Sequence, residues 1–226
     1  MNGRNHALSG LLAWLAIAPP VTEAMGEPLG LPVLAAGALV SAGAAVLPDI
    51  DHPGSSASRT FGPASQLMAL GVGALAGGHR QRTHSLAFVA AIGCATALVG
   101  ATGPWGAGVT VGVAAALAVR LIGPRPWRGV LGPLMVAIAV GWAVATAVPA
   151  GAWLAAAVVL GSLTHLLGDA ITPEGVPLLW PLRRRLALPV LRSGGLGETV
   201  VTVVCSTLIV WRTYQLVEPV VRTVAG

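Results

Sequence analysis

The sequence predicts an all-α fold, a polytopic transmembrane helical bundle of about seven spans plus one re-entrant or interfacial helix. Three observations carry that prediction. Of the 226 residues, 55% are hydrophobic and 9% are charged, and mean hydropathy is +0.80. A soluble domain carries about 25% charged residues, so this chain has too few to solvate a globular surface, and lipid must serve as part of its solvent. The apolar residues fall into blocks of span length. There is no lysine, and the thirteen arginines flank those blocks, as juxtamembrane charges do.

The first block, 7–21, follows Arg4 and reaches Pro19 and Pro20, which are expected to end its helix. It is short against the about 20 residues that a span needs and resembles a signal-peptide core. We read it as a retained first span, because His6 precedes it and joins the polar group described below. Further blocks at 29–47, 85–102, 105–122, 130–148, 151–170 and 196–217 are long enough to span, or nearly so. An eighth, 63–77, is short and carries Ser65, Gln66 and several glycines.

Whether 63–77 crosses decides the topology. If it does not, Arg4, Arg59, Arg80, Arg82, Arg120, Arg125, Arg128, Arg183, Arg184, Arg185 and Arg192 share one face, and only Arg212 and Arg222 lie toward the other. If it does, Arg80 and Arg82 part from Arg59. The positive-inside rule selects the first arrangement, with seven spans and a cytoplasmic N-terminus. Trp105 and Trp153 then start spans on the outer side, and Trp127 and Trp180 sit in inner loops as interface anchors. The whole chain, 1–226, reads as a single membrane-embedded domain. Anionic lipid headgroups explain its arginines more simply than direct nucleic-acid binding does. Gly73 with Gly77, and Gly108 with Gly112, have the spacing of close helix packing, but no oligomeric state follows from them. Cys94 and Cys205 lie in apolar runs without metal or redox spacing.

The few ionisable residues are grouped. Asp49, Asp51 and His52 follow the second span between Pro48 and Pro53. The prolines suggest a stiff extended turn that points both carboxylates the same way. A divalent cation would relieve their repulsion; an Asx-turn with solvated charges is the structural alternative. His165 and Asp169 are four apart, on one helix face. That spacing suits a shared cation or a packing hydrogen bond. His79, Arg80, Gln81, Arg82, Thr83 and His84 open the third long span, with Thr83 or Ser85 as its cap. His79 and His84 are suited to be neutral ligands. Arg80 and Arg82 are suited to grip a phosphate, a carboxylate or a lipid headgroup. Beyond Asp169, Thr172, Pro173, Glu174 and Gly175 make a turn that folds the following loop back. Glu174 there is either a site group or a solvated turn charge. On the seven-span topology all these residues, with His6, reach one inner face. Histidine with carboxylate suits zinc, manganese or iron better than calcium. One or two ions fit the ligand number, and a two-ion centre suits phosphoester hydrolysis.

The combination LPDIDHP, HRxxTHS and HxxxDxxTPxGVPLLWP resembles the YdjM family, from His6 to Trp180 in order. These are bacterial inner-membrane proteins described as LexA-binding and, by inference, as metal-dependent hydrolases. The resemblance implies metal roles for Asp49, Asp51, His52, His79, His84, His165 and Asp169, and His6 fits the family's early histidine. The HxxxD element is also similar to one ligand pair of zinc-dependent phospholipases C and related zinc nucleases, which makes zinc the first expected ion. Two departures stand out: Gln81 where the family often has glycine, and an extra helical hairpin at about 105–148. The expected function is a membrane-bound metal-dependent hydrolase acting on a phosphate ester or lipid headgroup at the cytoplasmic interface. Asp51 and Arg80 would be catalytic, and Arg80, Arg82, Thr172 and Glu174 would bind substrate. The alternatives are a non-enzymatic protein docking a soluble regulatory partner of the DNA-damage-response type through its arginine-rich face, and a metal-ion carrier. A carrier would hold its ligands near mid-membrane rather than at span ends.

Overall fold

The computed structural model of the chain describes residues 1–27, 29–182 and 184–225; Arg183 of the inner loop lies outside them. Among the described residues there are eight α-helices and no strand: α1 Gly3–Ala24, α2 Leu31–Ala44, α3 Pro63–Ala76, α4 Leu86–Ala101, α5 Pro104–Ile122, α6 Leu131–Ala147, α7 Trp153–Ala170 and α8 Leu196–Ala225. Their starts follow local chemistry. The Asn2 side chain accepts the Asn5 amide at 2.9 Å and caps α1. Ser85, rather than Thr83, caps α4 through the Phe88 amide. Pro32, Pro63 and Pro104 occupy first-turn positions of α2, α3 and α5, where a missing N–H costs nothing. Pro19 and Pro20 do not end the first helix as expected; α1 runs on to Ala24. Pro20 leaves the Ala16 carbonyl without its helical donor, and Arg212 of α8 donates to that carbonyl at 3.3 Å.

Small residues set the packing. Gly10 of α1 and Gly161 of α7 both press on the Ser41 carbonyl of α2, and a Cβ at Gly10 would stand 2.5 Å from it. This brings α1 and α7 onto α2, which is the most enclosed helix, its span window 72% buried. Trp14 is fully buried there and donates its indole N–H to the Leu34 carbonyl at 3.1 Å. Gly108 and Gly112 face Gly141 and Ala137 of α6, so that glycine pair closes the α5–α6 hairpin within the chain.

Seven helices run alternately between two ends. At one end the start of α8 meets the start of α1, where Glu198 accepts the Asn2 amide at 2.6 Å, and the end of α5 touches Gly3 through Leu121. At the other, Glu27 beyond α1 accepts the Ala152 and Trp153 amides at the start of α7. The remaining helix, α3, lies across the first end. Gly62 sits beside Val130 before α6, and Gly73 abuts the Asp51 carbonyl, while the Leu75 carbonyl accepts from Arg82 at 2.9 Å. Five helices are long and apolar enough to cross a membrane, and α3, α4 and α6 are shorter. The outer surface carries large apolar side chains such as Leu98, Leu131 and Leu196, which only lipid solvates without penalty. The fold is a helical membrane bundle.

The turn after α2 is not extended. Pro48–Asp51 is a 3-10 turn, closed by Ile50 N–H to the Leu47 carbonyl at 3.0 Å and His52 N–H to the Asp49 carbonyl at 3.1 Å. Proline is compatible with a first helical position, which is why it does not straighten the chain here. With about three residues per turn, Asp49 and Asp51 point in different directions.

Candidate metal centre

The end of the bundle crossed by α3 gathers all five histidines and all three aspartates. His6 lies on the first turn of α1, Asp49 and Asp51 in the 3-10 turn after α2, His79 and Arg80 between α3 and α4, His84 in the 3-10 turn Arg82–His84, and His165 and Asp169 on the last turns of α7. The rings form a continuous row. His52 to His79 is 5.1 Å between centroids, His79 to His84 5.3 Å, His84 to His165 5.0 Å, and His165 to His6 3.9 Å in a stacked pair.

Within that row four ligand atoms converge. His84 Nε2 and His165 Nε2 are 3.2 Å apart. Asp49 Oδ1 is 3.5 Å from the first and 3.6 Å from the second. Asp169 Oδ2 is 3.6 Å from both. Ligands about 2.1 Å from a tetrahedral ion stand about 3.4 Å from one another, so these separations are those of a four-ligand zinc-type cage. His84, His165 and Asp169 are buried, and Asp49 is 22% exposed.

The hydrogen bonds behind the rings fix which atoms face inward. His165 Nδ1 stands 2.8 Å from the Ala45 carbonyl, which only accepts, so Nδ1 carries the proton and, in the neutral ring that binds metals, Nε2 presents a lone pair. Thr83 Oγ1 donates its proton to Asp51 Oδ2 at 2.5 Å. It therefore accepts from His84 Nδ1 at 3.0 Å, and His84 Nε2 is also a lone pair. Two lone pairs and two carboxylate oxygens facing one another repel, an effect that the Met1 ammonium and the Arg80 guanidinium relieve at Asp169 but not at Asp49. A divalent cation turns that repulsion into coordination. The donor set fits a divalent transition metal.

Asp51, His79 and His84 form a second group of metal-ligand type. Asp51 is 3% exposed and its oxygens already have partners: His79 Nδ1 at 2.8 Å on Oδ1 and Thr83 on Oδ2. Its closest effect is to orient His84 through Thr83. The hydrogen bond to Asp51 raises the His79 imidazole above its ordinary pKa, while burial lowers that of His84. His6 Nε2 lies 3.2 Å from Asp169 Oδ1, off the line of a hydrogen bond, so both its ring nitrogens lack hydrogen-bond partners. His52 is exposed, accepts the Gly54 amide at 3.0 Å and stands at the outer end of the row.

The arginines divide. Arg80 Nη2 meets Asp169 Oδ2 at 3.1 Å, and its Nη1 meets Thr172 Oγ1 at 3.2 Å and Glu174 Oε2 at 3.3 Å. Its backbone is left-handed, with φ 56°, a strained choice for a non-glycine residue that recurs at functional sites. Arg82 turns away, to the Leu75 carbonyl and over the Trp180 ring at 5.2 Å. The loop after α7 folds back over this rim, held by Leu188 N–H to the Ala170 carbonyl at 2.7 Å and by Arg185 to the Arg80 carbonyl at 3.2 Å.

Sequence reading passed over four contributors: the Thr83 relay, the Ala45 carbonyl, Gly168 and Glu198. A Cβ at Gly168 would stand 3.0 Å from the His6 ring, so glycine there permits the His6–His165 stack. Glu198 binds the Asn2 amide, the Asn2 side chain at 2.9 Å and the Gly194 amide at 2.8 Å, and so anchors the segment bearing His6. A buried acid at a span start, Glu198 after a glycine pair, was the available signal.

A family model described as YdjM inner membrane protein matches residues 1–222. Curated relatives named Inner membrane protein YdjM, from Escherichia coli (strain K12) and Shigella flexneri, are each 46% identical over 57 residues. That alignment spans 25% of this chain and 29% of each relative. No solved structure matches the chain significantly. The similarities and the apolar helices give an inner-membrane location.

Proposed function

The chain belongs to the YdjM inner membrane protein family, and we propose that it is a metal-dependent hydrolase of phosphate esters working at the cytoplasmic face of the membrane. The observation that supports this reading most is the convergence, at a bundle end, of two imidazole nitrogens 3.2 Å apart, each 3.5–3.6 Å from two carboxylate oxygens. Asp49, His84, His165 and Asp169 would hold one ion, zinc first and manganese or iron next. Asp51 with His79 offers a place for a second. When bound, the metal supplies Lewis acidity, acidifying water and polarising a phosphoryl oxygen. The chain's own groups do the rest. Asp51 keeps His84 in its ligand tautomer through Thr83. Arg80, already bridging Asp169, Thr172 and Glu174, is placed to hold a phosphate oxygen in a bidentate grip.

The N-terminus is proposed to be cytoplasmic, with seven crossings, because α3 returns to the end it leaves and the arginines then share one side. Reporter fusions after Val148 should read outside and after Arg192 inside. An opposite pattern removes this topology. The hydrolase itself is tested in liposomes against phospholipids and phosphate monoesters. His84→Ala and Asp169→Ala should abolish metal-dependent turnover, while Arg125→Gln with Arg184→Gln, both exposed and away from the cage, should leave it largely intact. The reverse result would favour docking of a soluble regulatory partner through the basic face. The ligands' position at helix ends counts against a metal-ion carrier.

A further inference from the structure

A second feature adjoins the centre. Between α3 and the bundle lies an apolar groove of about 220 Å³, walled by Phe61, Met68 and Val72 on one side and by Phe88 and Ile92 of α4 on the other. Its lining includes Ile50, the residue between the two aspartates of the 3-10 turn. We propose that this groove holds an acyl chain of a bilayer phospholipid whose headgroup phosphate reaches the metal centre. The assignment rests on the hydrolase reading for the reaction, and on the groove alone for the binding.

Four observations select a lipid chain as the occupant. First, α3 contains no charged residue, and Leu67, Leu70 and Leu75 on its outer side are 69%, 57% and 77% exposed. A helix of this composition lying across the end of a membrane bundle is immersed at the lipid interface, so acyl chains reach the groove's open side. Second, the groove asks for nothing polar. Ser65, the one hydroxyl in its lining, accepts the Phe61 amide and donates to the Gly62 carbonyl. Third, the volume exceeds the about 150 Å³ of a dry apolar cavity that takes a benzene ring. Fourth, the rim beyond the end of α3 is polar. A recess of about 590 Å³ lined by Gln81, Trp180 and Arg185 opens beside Arg80. A centre with an apolar groove beside the turn that carries Asp49 and a cationic recess beside Arg80 suits an amphiphile: tail under α3, phosphate at the cage, headgroup toward Arg80 and Arg185.

The test uses the full chain in vesicles of phosphatidylethanolamine and phosphatidylglycerol, a fraction of the latter carrying a diazirine at the end of one acyl chain. After illumination, cross-linked residues are mapped by mass spectrometry. The groove predicts label at Met68, Phe61, Phe88 and Ile92 above that on the general lipid-facing surface, represented by Leu98 and Leu131. Val72→Trp should cut groove label by about tenfold, the loss expected when roughly two methylenes are excluded. Met68→Trp, at a half-exposed position with less packing to disturb, should do the same. Equal label on groove and outer surface, or groove label unchanged in both variants, overturns the proposal. Metal content and turnover are read on the same preparations. A labelled groove without turnover upholds the groove and removes the hydrolase, whereas turnover with an unlabelled groove removes the groove alone.

Discussion

The two ends of the bundle use carboxylates in opposite ways. At the far end, Glu27 accepts the Ala152 amide at 2.6 Å and the Trp153 amide at 3.0 Å. It thereby caps α7, which has no side-chain cap of its own. Each oxygen meets a donor, and the group is complete without any ligand. At the near end Asp49 and Asp169 turn oxygens toward His84 Nε2 and His165 Nε2, both of them lone pairs by their hydrogen bonds to Thr83 and Ala45. Asp169 also meets the Met1 ammonium at 2.9 Å and the Arg80 guanidinium at 3.1 Å, so the group that lacks a facing cation is Asp49 with the two Nε2 atoms. The near end also holds a carboxylate of the first kind, since Glu198 faces only donors from Asn2 and Gly194. What separates a structural acid from a candidate ligand here is therefore what its oxygens face rather than its burial.

That contrast can be sharpened by removing groups that act at one remove. Thr83→Val keeps the shape of the side chain but deletes the relay between Asp51 and His84. Loss of such an outer partner typically weakens metal affinity by about 10–100-fold. Competition with a chelator of known affinity measures it, and an unchanged affinity would mean that Asp51 does not orient His84. Glu27→Ala tests the other end. It should lower stability by about 1 kcal/mol, the usual worth of a helix cap, seen as a small fall in the midpoint of thermal unfolding in detergent. Metal content should not change. A loss of metal in Glu27→Ala would break the distinction between the ends.

Much of this was legible in the sequence, for reasons that can be named. The seven long apolar blocks became helices at nearly the expected places, because a backbone in lipid has no partner outside its own helix. For 63–77 the sequence left crossing, re-entrant and surface placements open, with its shortness and the arginines around it favouring a segment that does not cross. The residues of the centre were legible because a chain with so few ionisable groups places them selectively. What was not legible was direction. The 3-10 form of Pro48–Asp51, which sends Asp49 to the cage and Asp51 to Thr83, depends on a proline sitting at a helical first position instead of straightening the chain. The split between Arg80, on Asp169, and Arg82, on Trp180, goes with the left-handed backbone at Arg80, which a non-glycine residue does not announce. The continuation of α1 through Pro19 and Pro20 frees the Ala16 carbonyl, and the donor that meets it, Arg212, lies nearly two hundred positions away.

The central claim is that Asp49, His84, His165 and Asp169 make one cage. Its most direct test is the metal content of the purified chain after equilibration with zinc and removal of the loosely held ion, in the wild type and in His165→Ala. His165 does not drive membrane insertion, so the variant can be compared at equal yield. The cage predicts at least one tightly held ion per chain in the wild type and loss of that ion in the variant. A wild type that retains no ion, or a variant that retains it undiminished, would contradict the cage.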